Sequence, residues 1–194
     1  MKYTHKGVIP LETKRLLLRP IHRDDAEAIF ENWASDPETT RFMLWNCHRT
    51  IDDTHVWLDT LEKNASRPDC YDSWGIVLRN TGELIGSMGA FWRAGESDTM
   101  EFGYIISRKY WGNGYTTEAA REMIRFLRDE IGIRHFFACH AEKNPASGKV
   151  LVKLGMRETG AGIYRSFDGI RTFPSVEYRL DLSEDKRISY DPGA

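Results

Sequence analysis

The sequence predicts an α/β (α+β) fold, a mixed and mostly antiparallel twisted sheet of about seven strands with helices on both faces. Three observations carry this. Hydrophobic spacing alternates between the helix period and the strand period, in the order strand, two helices, three strands, helix, strand, helix, strands. The helical segments bring their own start and stop signals. A chain of 194 residues, 41% hydrophobic and 29% charged, can also bury a substantial core as one globular unit.

"RLLLRPI" (15–21) reads as the first strand, ended by its proline. From Asp24 the apolar positions Ala26, Ile29, Phe30 and Trp33 follow helical spacing, with Asp24 and Asp25 in the first turn, where the helix dipole favours acid. A second helix starts near Thr50. Thr50 and Asp53 have capping-box spacing, and Ile51, Leu58, Leu61 and Ala65 recur along one side. The period then changes. "SWGIVLR" (73–79), "ELIGSMGAFWR" (83–93) and "TMEFGYIIS" (99–107) read as three strands, the first two joined by an "NTGE" turn. The next helix puts Ala119, Ala120, Met123, Ile124, Leu127 and Ile131 on one face and closes at Gly132. "HFFACH" (135–140) is a short buried strand. Asn144, Pro145 and Gly155 punctuate the following helix as N-cap, first residue and C′ residue. "SVEYRLDL" (175–182) is a final strand. No linker or repeat divides the chain, so we expect one domain over 13–180, an N-terminal extension (1–12) and a C-terminal tail (183–194).

Composition narrows the function. A net charge of −2 and a pI near 6.3 argue against a general nucleic-acid binder. No run approaches the roughly 18 apolar residues of a membrane span, and the N-terminus "MKYTHKGVIPLE" lacks a signal-like apolar stretch, so the expected location is the cytoplasm. Cys47, Cys70 and Cys139 are too far apart for a zinc site or disulfide framework, and His48, His55, His135 and His140 form no convincing ligand set. No metal is expected.

The stretch that asks for a function is "KYWGNGYTTEAA" (109–120). A long amphipathic helix begins there through two glycines, Gly112 and Gly114, and not through a capping hydroxyl. Amides at a helix start have no internal partner, and glycines let an anion reach them without meeting a Cβ, so the stretch reads as a phosphate cradle. A tight strand-to-helix turn is the plainer alternative. Thr117 interrupts a dinucleotide-type glycine pattern, and no Lys-Ser/Thr pair follows to make a nucleotide-triphosphate loop.

"KYWGNGY" after the strand "EFGYII" resembles the acetyl-CoA pyrophosphate loop of the GNAT N-acetyltransferase superfamily. "TKRLLLRP" and "AEKNPASGKVLVKLGM" resemble, in the same order, the opening strand and late helix of the branch that acetylates ribosomal-protein N-termini. The sequence departs from that pattern at Lys109 (usually Gln or Arg), Met156 (usually Phe) and Leu151, where many GNAT enzymes place a tyrosine acid. The resemblance implies a V-shaped gap between strands four and five that holds acetyl-CoA as co-substrate. Its pantetheine arm would pair with the backbone of Tyr104, Ile105 and Ile106. Its pyrophosphate would lie on the amides of Gly112, Asn113, Gly114, Tyr115, Thr116 and Thr117, with Lys109, Arg108 or Lys149 meeting the remaining phosphates. Asn144 reads as a cofactor contact or simply as an N-cap.

Transfer to an amine needs a base and support for the leaving thiolate. By resemblance Glu101 is the candidate base, though it reads equally as a solvating charge. Ser147 is the candidate donor to the thiolate and contacts the cofactor there; a plain first-turn serine is the alternative. Trp33 and Trp45 (in 32–48) and Tyr164 and Asp168 (in 162–173) are the candidate acceptor walls, with Trp33 also a core candidate. The expected reaction is acetyl transfer to a primary amine, with a peptide or protein N-terminus favoured. A small-molecule amine (polyamine or antibiotic) and a non-catalytic acyl-CoA-binding module are the alternatives. Members of the branch are often dimers, so the resemblance adds a homodimer to the candidate assemblies.

Overall fold

The computed structural model describes residues 6–64 and 70–183. Residues 1–5 of the N-terminal extension, residues 65–69 (with Ala65 of the second helical stripe) and the tail beyond 183 lie outside the described residues. Eight strands form one sheet: β1 (Leu11–Glu12), β2 (Leu16–Pro20), β3 (Cys70–Leu78), β4 (Leu84–Trp92), β5 (Thr99–Ile106), β6 (His135–Ala141), β7 (Arg157–Arg165) and β8 (Thr172–Asp181). Their order across the sheet is β1-β2-β3-β4-β5-β6-β8-β7. All neighbours are antiparallel except β5 and β6. The additional strand is the two-residue β1, too short to carry a periodic signal. β7 also escapes sequence pattern, because it is an edge strand exposed along most of its length and broken by Gly160 and Gly162.

Helices cover the two faces unequally. A first helical run (α1) spans Ala26–Ile29, tightened at its start over Arg23–Asp25 and widened at its end over Phe30–Ala34. The short α2 (Pro37–Thr40) and α3 (Ile51–Asn64) follow. Asp53 accepts hydrogen bonds from the backbone N–H groups of Arg49 and Thr50 at the start of α3, half of the capping box that the spacing predicts. This layer packs Ala26, Ile29, Trp33 and Leu58 against Val77, Leu84 and Ile105. On the opposite face, α4 (Tyr115–Phe126) and α5 (Pro145–Lys153) press Ala119, Ala120, Met123, Ile124 and Leu151 onto β2–β6 and β8.

The α5 punctuation works as read. Asn144 accepts from the Ser147 N–H, Pro145 opens the helix, and Gly155 takes a left-handed φ of +82°. The amides of Gly155 and Met156 then bond the carbonyls of Val152 and Leu151, which closes the helix end. At α4, Gly132 turns the chain with φ +93°.

Candidate active site

β5 and β6 are parallel, yet they pair only over Thr99–His135, Met100–Phe136 and Glu101–Phe137. Beyond Glu101 they diverge, leaving residues 102–106 and 138–141 with unshared edges on either side of a V. An extended polar chain can add to such an edge as another strand would. Because the two strands run the same way, the helices that follow them, α4 and α5, both begin at the open side of the V. Two positive helix ends thus flank one gap, the usual ligand position beyond the carboxyl ends of parallel strands.

The glycines belong to this geometry. Gly112 and Gly114 have φ of +78° and +77°, which side chains oppose. A Cβ on Gly112 would meet no protein atom within 4 Å, and no side chain caps α4. The first amides of α4 therefore face open space, where a pyrophosphate fits. Arg15 straps the loop from the N-terminal side. Its Nε bonds Glu118 at 2.6 Å, its Nη1 donates to the Asn113 carbonyl at 3.1 Å, and its guanidinium lies 4.4 Å from the Tyr115 ring centre. Thr13 and the Arg15 amide add hydrogen bonds to the same Glu118 carboxylate. Sequence reading passed over Arg15; its one signal is its place in "TKRLLLRP".

The cations named for the phosphates have partners. Lys109 pairs with Glu83 at 3.2 Å and Arg108 with Asp36 at 3.1 Å, while Lys149 is exposed on α5. Tyr104 and Ile106 point to the α4/α5 face, and Ile105 to the α1/α3 face. Burial pushes the Tyr104 hydroxyl up to about 12, and that hydroxyl lies 2.8 Å from Ser147 Oγ. Leu151, in the position of the missing tyrosine, is core.

Glu101 stands at the apex of the V, on the face opposite Tyr104. Its Oε2 accepts from Arg93 Nη1 at 2.8 Å, and Arg93 lies over the Phe137 ring. Burial raises the Glu101 carboxyl above its ordinary range, and Arg93 pulls it partly back. On this face the helix layer stops at β5, so β6 and β8 present Phe137, Cys139, Glu177 and Arg179 beside Glu101. Burial first, and then Glu101 and Glu177, push the Cys139 thiol up to about 11. The Glu177 carboxylate lies where a Cβ on Gly162 would stand. Glu96 bridges Arg93 and Arg179, and its carboxyl is held down to about 2, chiefly by Arg179.

The acceptor-wall residues divide. Trp33 is 1% exposed and belongs to the α1/α3 core, so it offers a substrate no surface. Trp45 packs against His48 and Trp57 at the edge of that core. The segments 41–46 and 162–173 do not face each other across a slot; they are tied together. Tyr164 donates to the Phe42 carbonyl at 2.9 Å, Asn46 to Asp168 at 2.7 Å, and Arg171 to the carbonyls of Met43 and Trp45 at 3.1 and 2.6 Å. Asp168 is held down to about 2 by Ser166, Asn46 and the Ile170 amide, which makes it a turn-forming carboxylate. The acids beside the apex of the V are Glu101 and Glu177, whose charges act on each other. Glu177 lay inside a strand pattern and gave no motif to find it by.

Comparison with known proteins settles the family. A family model described as an acetyltransferase (GNAT) domain matches residues 15–157. The chain belongs to the GNAT acetyltransferases. It is 33% identical over 155 residues to the uncharacterized N-acetyltransferase YoaA of Bacillus subtilis (strain 168), across 77% of this chain and 84% of that relative. It is 25% identical over 170 residues to the ribosomal protein uS5-alanine N-acetyltransferase of Escherichia coli (strain K12), across 83% and 85% of the two chains. Among solved structures, the microcin C7 self-immunity acetyltransferase MccE, in complex with acetyl-CoA and AMP, superposes with a TM-score of 0.75 at 15% identity, over 87% of this chain and 93% of that one. The GNAT enzyme described here therefore uses acetyl-CoA as co-substrate for N-acetylation. The open β5 edge and the glycine-entered α4 suit that ligand. Among the described residues, no cluster of His, Cys, Asp and Glu could hold a metal ion, and no helix is long and apolar enough to cross a membrane.

Proposed function

We propose that this GNAT enzyme transfers acetyl to the α-amine of a peptide or protein N-terminus by direct attack of the amine on the thioester. The pantetheine arm lies along Tyr104–Ile106, and the α4 amides from Gly112 to Thr117 take the pyrophosphate. Glu101, at the apex of the V, accepts the ammonium proton directly or through water, using the carboxylate oxygen that Arg93 leaves free. The amine lone pair attacks the carbonyl carbon, the C–S bond breaks, and the sulfur departs with the electron pair while Ser147 donates a hydrogen bond to it. The nitrogen gives its second proton to solvent as the amide forms, and the thiolate takes one from solvent to leave as the CoA thiol. An α-amine, with a reference pKa near 7.7–8.0, asks only modest help from a base.

One observation carries the choice of acceptor. Near the apex, Glu96 and Glu101 are already matched by Arg93 and Arg179, and Asp98 and Asp181 lie further along the face beside His135, which leaves Glu177 as the apex carboxylate to meet a cation. That charge count suits a monocation attached to a neutral chain. A polyamine or aminoglycoside calls for several unmatched acids. Similarity to an enzyme acting on a ribosomal-protein alanine supports the same choice. The test is an acceptor panel read as released CoA thiol. Peptides beginning in Ala or Ser are the expected substrates. Robust turnover of spermidine or kanamycin, with none on peptides, would overturn the acceptor while leaving acetyl transfer in place.

A further inference from the structure

Leu151 fills the place where the family's tyrosine would be, yet a tyrosine hydroxyl does reach the late helix, from another strand. Tyr104 comes from β5, and its Oη lies 2.8 Å from Ser147 Oγ and donates to the Ser147 carbonyl at 3.2 Å. Ser147 is itself fixed. Its amide bonds the Asn144 carbonyl at 3.1 Å and the Asn144 side chain at 3.4 Å, which holds the serine backbone in the first turn of α5 and leaves Tyr104 Oη as the contact of its hydroxyl. We infer that Tyr104 is a positioning residue that sets the direction of the Ser147 hydroxyl proton and so makes this serine a donor to the leaving thiolate. The inference rests on the role given to Ser147 in the proposed reaction.

Two hydrogen-bond arrangements share these three atoms. In one, Ser147 donates to Tyr104 and Tyr104 donates to the Ser147 carbonyl, which satisfies both protons internally. In the other, Tyr104 turns its proton to Ser147 Oγ, and the serine proton is released toward the gap. Accepting from Tyr104 also makes the serine O–H a stronger donor. A thiolate forming in the gap favours the second arrangement. Neither hydroxyl loses its proton. Burial holds the Tyr104 phenol up to about 12, well above a thiol near 8.5, so phenolate formation would be uphill. The C–S electron pair stays on sulfur, and the serine supplies a hydrogen bond alone. Phenylalanine at 104 would fill the same volume and leave the serine proton free to settle on its own backbone.

The test is a four-protein cycle of wild type, Tyr104→Phe, Ser147→Ala and the double variant, read as thiol release. Tyr104→Phe is expected to lower kcat about tenfold with the KM for acetyl-CoA unchanged, and Ser147→Ala by about 10–100-fold, since a donor to developing charge is worth up to about 10²–10³. The double variant should be no slower than Ser147→Ala. Losses that multiply, or a Tyr104→Phe enzyme at wild-type kcat, would overturn the inference. If wild type binds acetyl-CoA but turns over no amine, the acceptor reading fails separately. The same cycle is then read on the slow hydrolysis of bound acetyl-CoA, whose leaving group is the same thiolate, with the same two outcomes.

Discussion

The two sides of the V are built by different means. On the cofactor side, two helix ends and an open strand edge present backbone, and backbone geometry follows from local sequence: two glycines of positive φ, an asparagine cap, a proline. On the proposed acceptor side the surface is made of side chains from β4, β5, β6 and β8, together with a loop clasped to a hairpin by Arg171. The first side asks for a few residues in one stretch. The second asks for residues as far apart as Arg93 and Arg179, which share Glu96. In the proposed reaction a common cofactor is thus met by a local motif and a particular acceptor by a distributed one.

The sharpest cut falls at the apex, where the two sides meet. Glu101→Gln should lower turnover about 10²-fold or more near neutral pH, since general-base help is typically worth about 10²–10⁴-fold. The sign follows from the raised carboxyl. A base works when deprotonated, so the wild-type rate should fall as pH falls through that raised value, and the glutamine enzyme should lack this limb. Its deficit should shrink at high pH, where the acceptor amine is already neutral. An unchanged pH–rate profile would make Glu101 a partner of Arg93 only.

A smaller effect isolates the cofactor side. Gly114→Val should weaken acetyl-CoA binding roughly 100-fold, the loss of one charge-assisted hydrogen bond at about 1.5–3 kcal/mol. The left-handed backbone adds about 1–2 kcal/mol of instability. Gly132→Val carries a similar backbone cost at the other end of the α4 segment, with φ +93°, and should leave affinity untouched. Titration calorimetry beside thermal melts separates the two. Equal affinities in both variants would reduce Gly114 to a turn residue.

The smallest effect isolates the acceptor side. Arg171→Met keeps the side-chain stem but removes the bonds to the carbonyls of Met43 and Trp45. The KM for the amine should rise about tenfold, a loss of about 1.4 kcal/mol, with acetyl-CoA affinity preserved. A matched rise in both constants would show that the clasp supports the whole gap and not one side of it.

Sequence by itself determined the parts whose physics is local. The amphipathic period of α4, the caps of α5 and the entry through Gly112 and Gly114 each follow from bonding within one short segment, and the order of elements with its motifs was enough to identify the family. Tertiary structure decided what depends on contacts between distant segments. Trp33 and Trp45 sit in one loop-bearing stretch, yet only packing tells that the first is sealed in the core. Asp168 looked like an acid for an amine until Ser166, Asn46 and Ile170 were seen to occupy it. Tyr104 read only as backbone for the cofactor, because its hydroxyl partner is 43 residues away. Which side chains meet across a sheet depends on strand order, and strand order here interleaves β8 between β6 and β7. Local periodicity carries no term for that pairing.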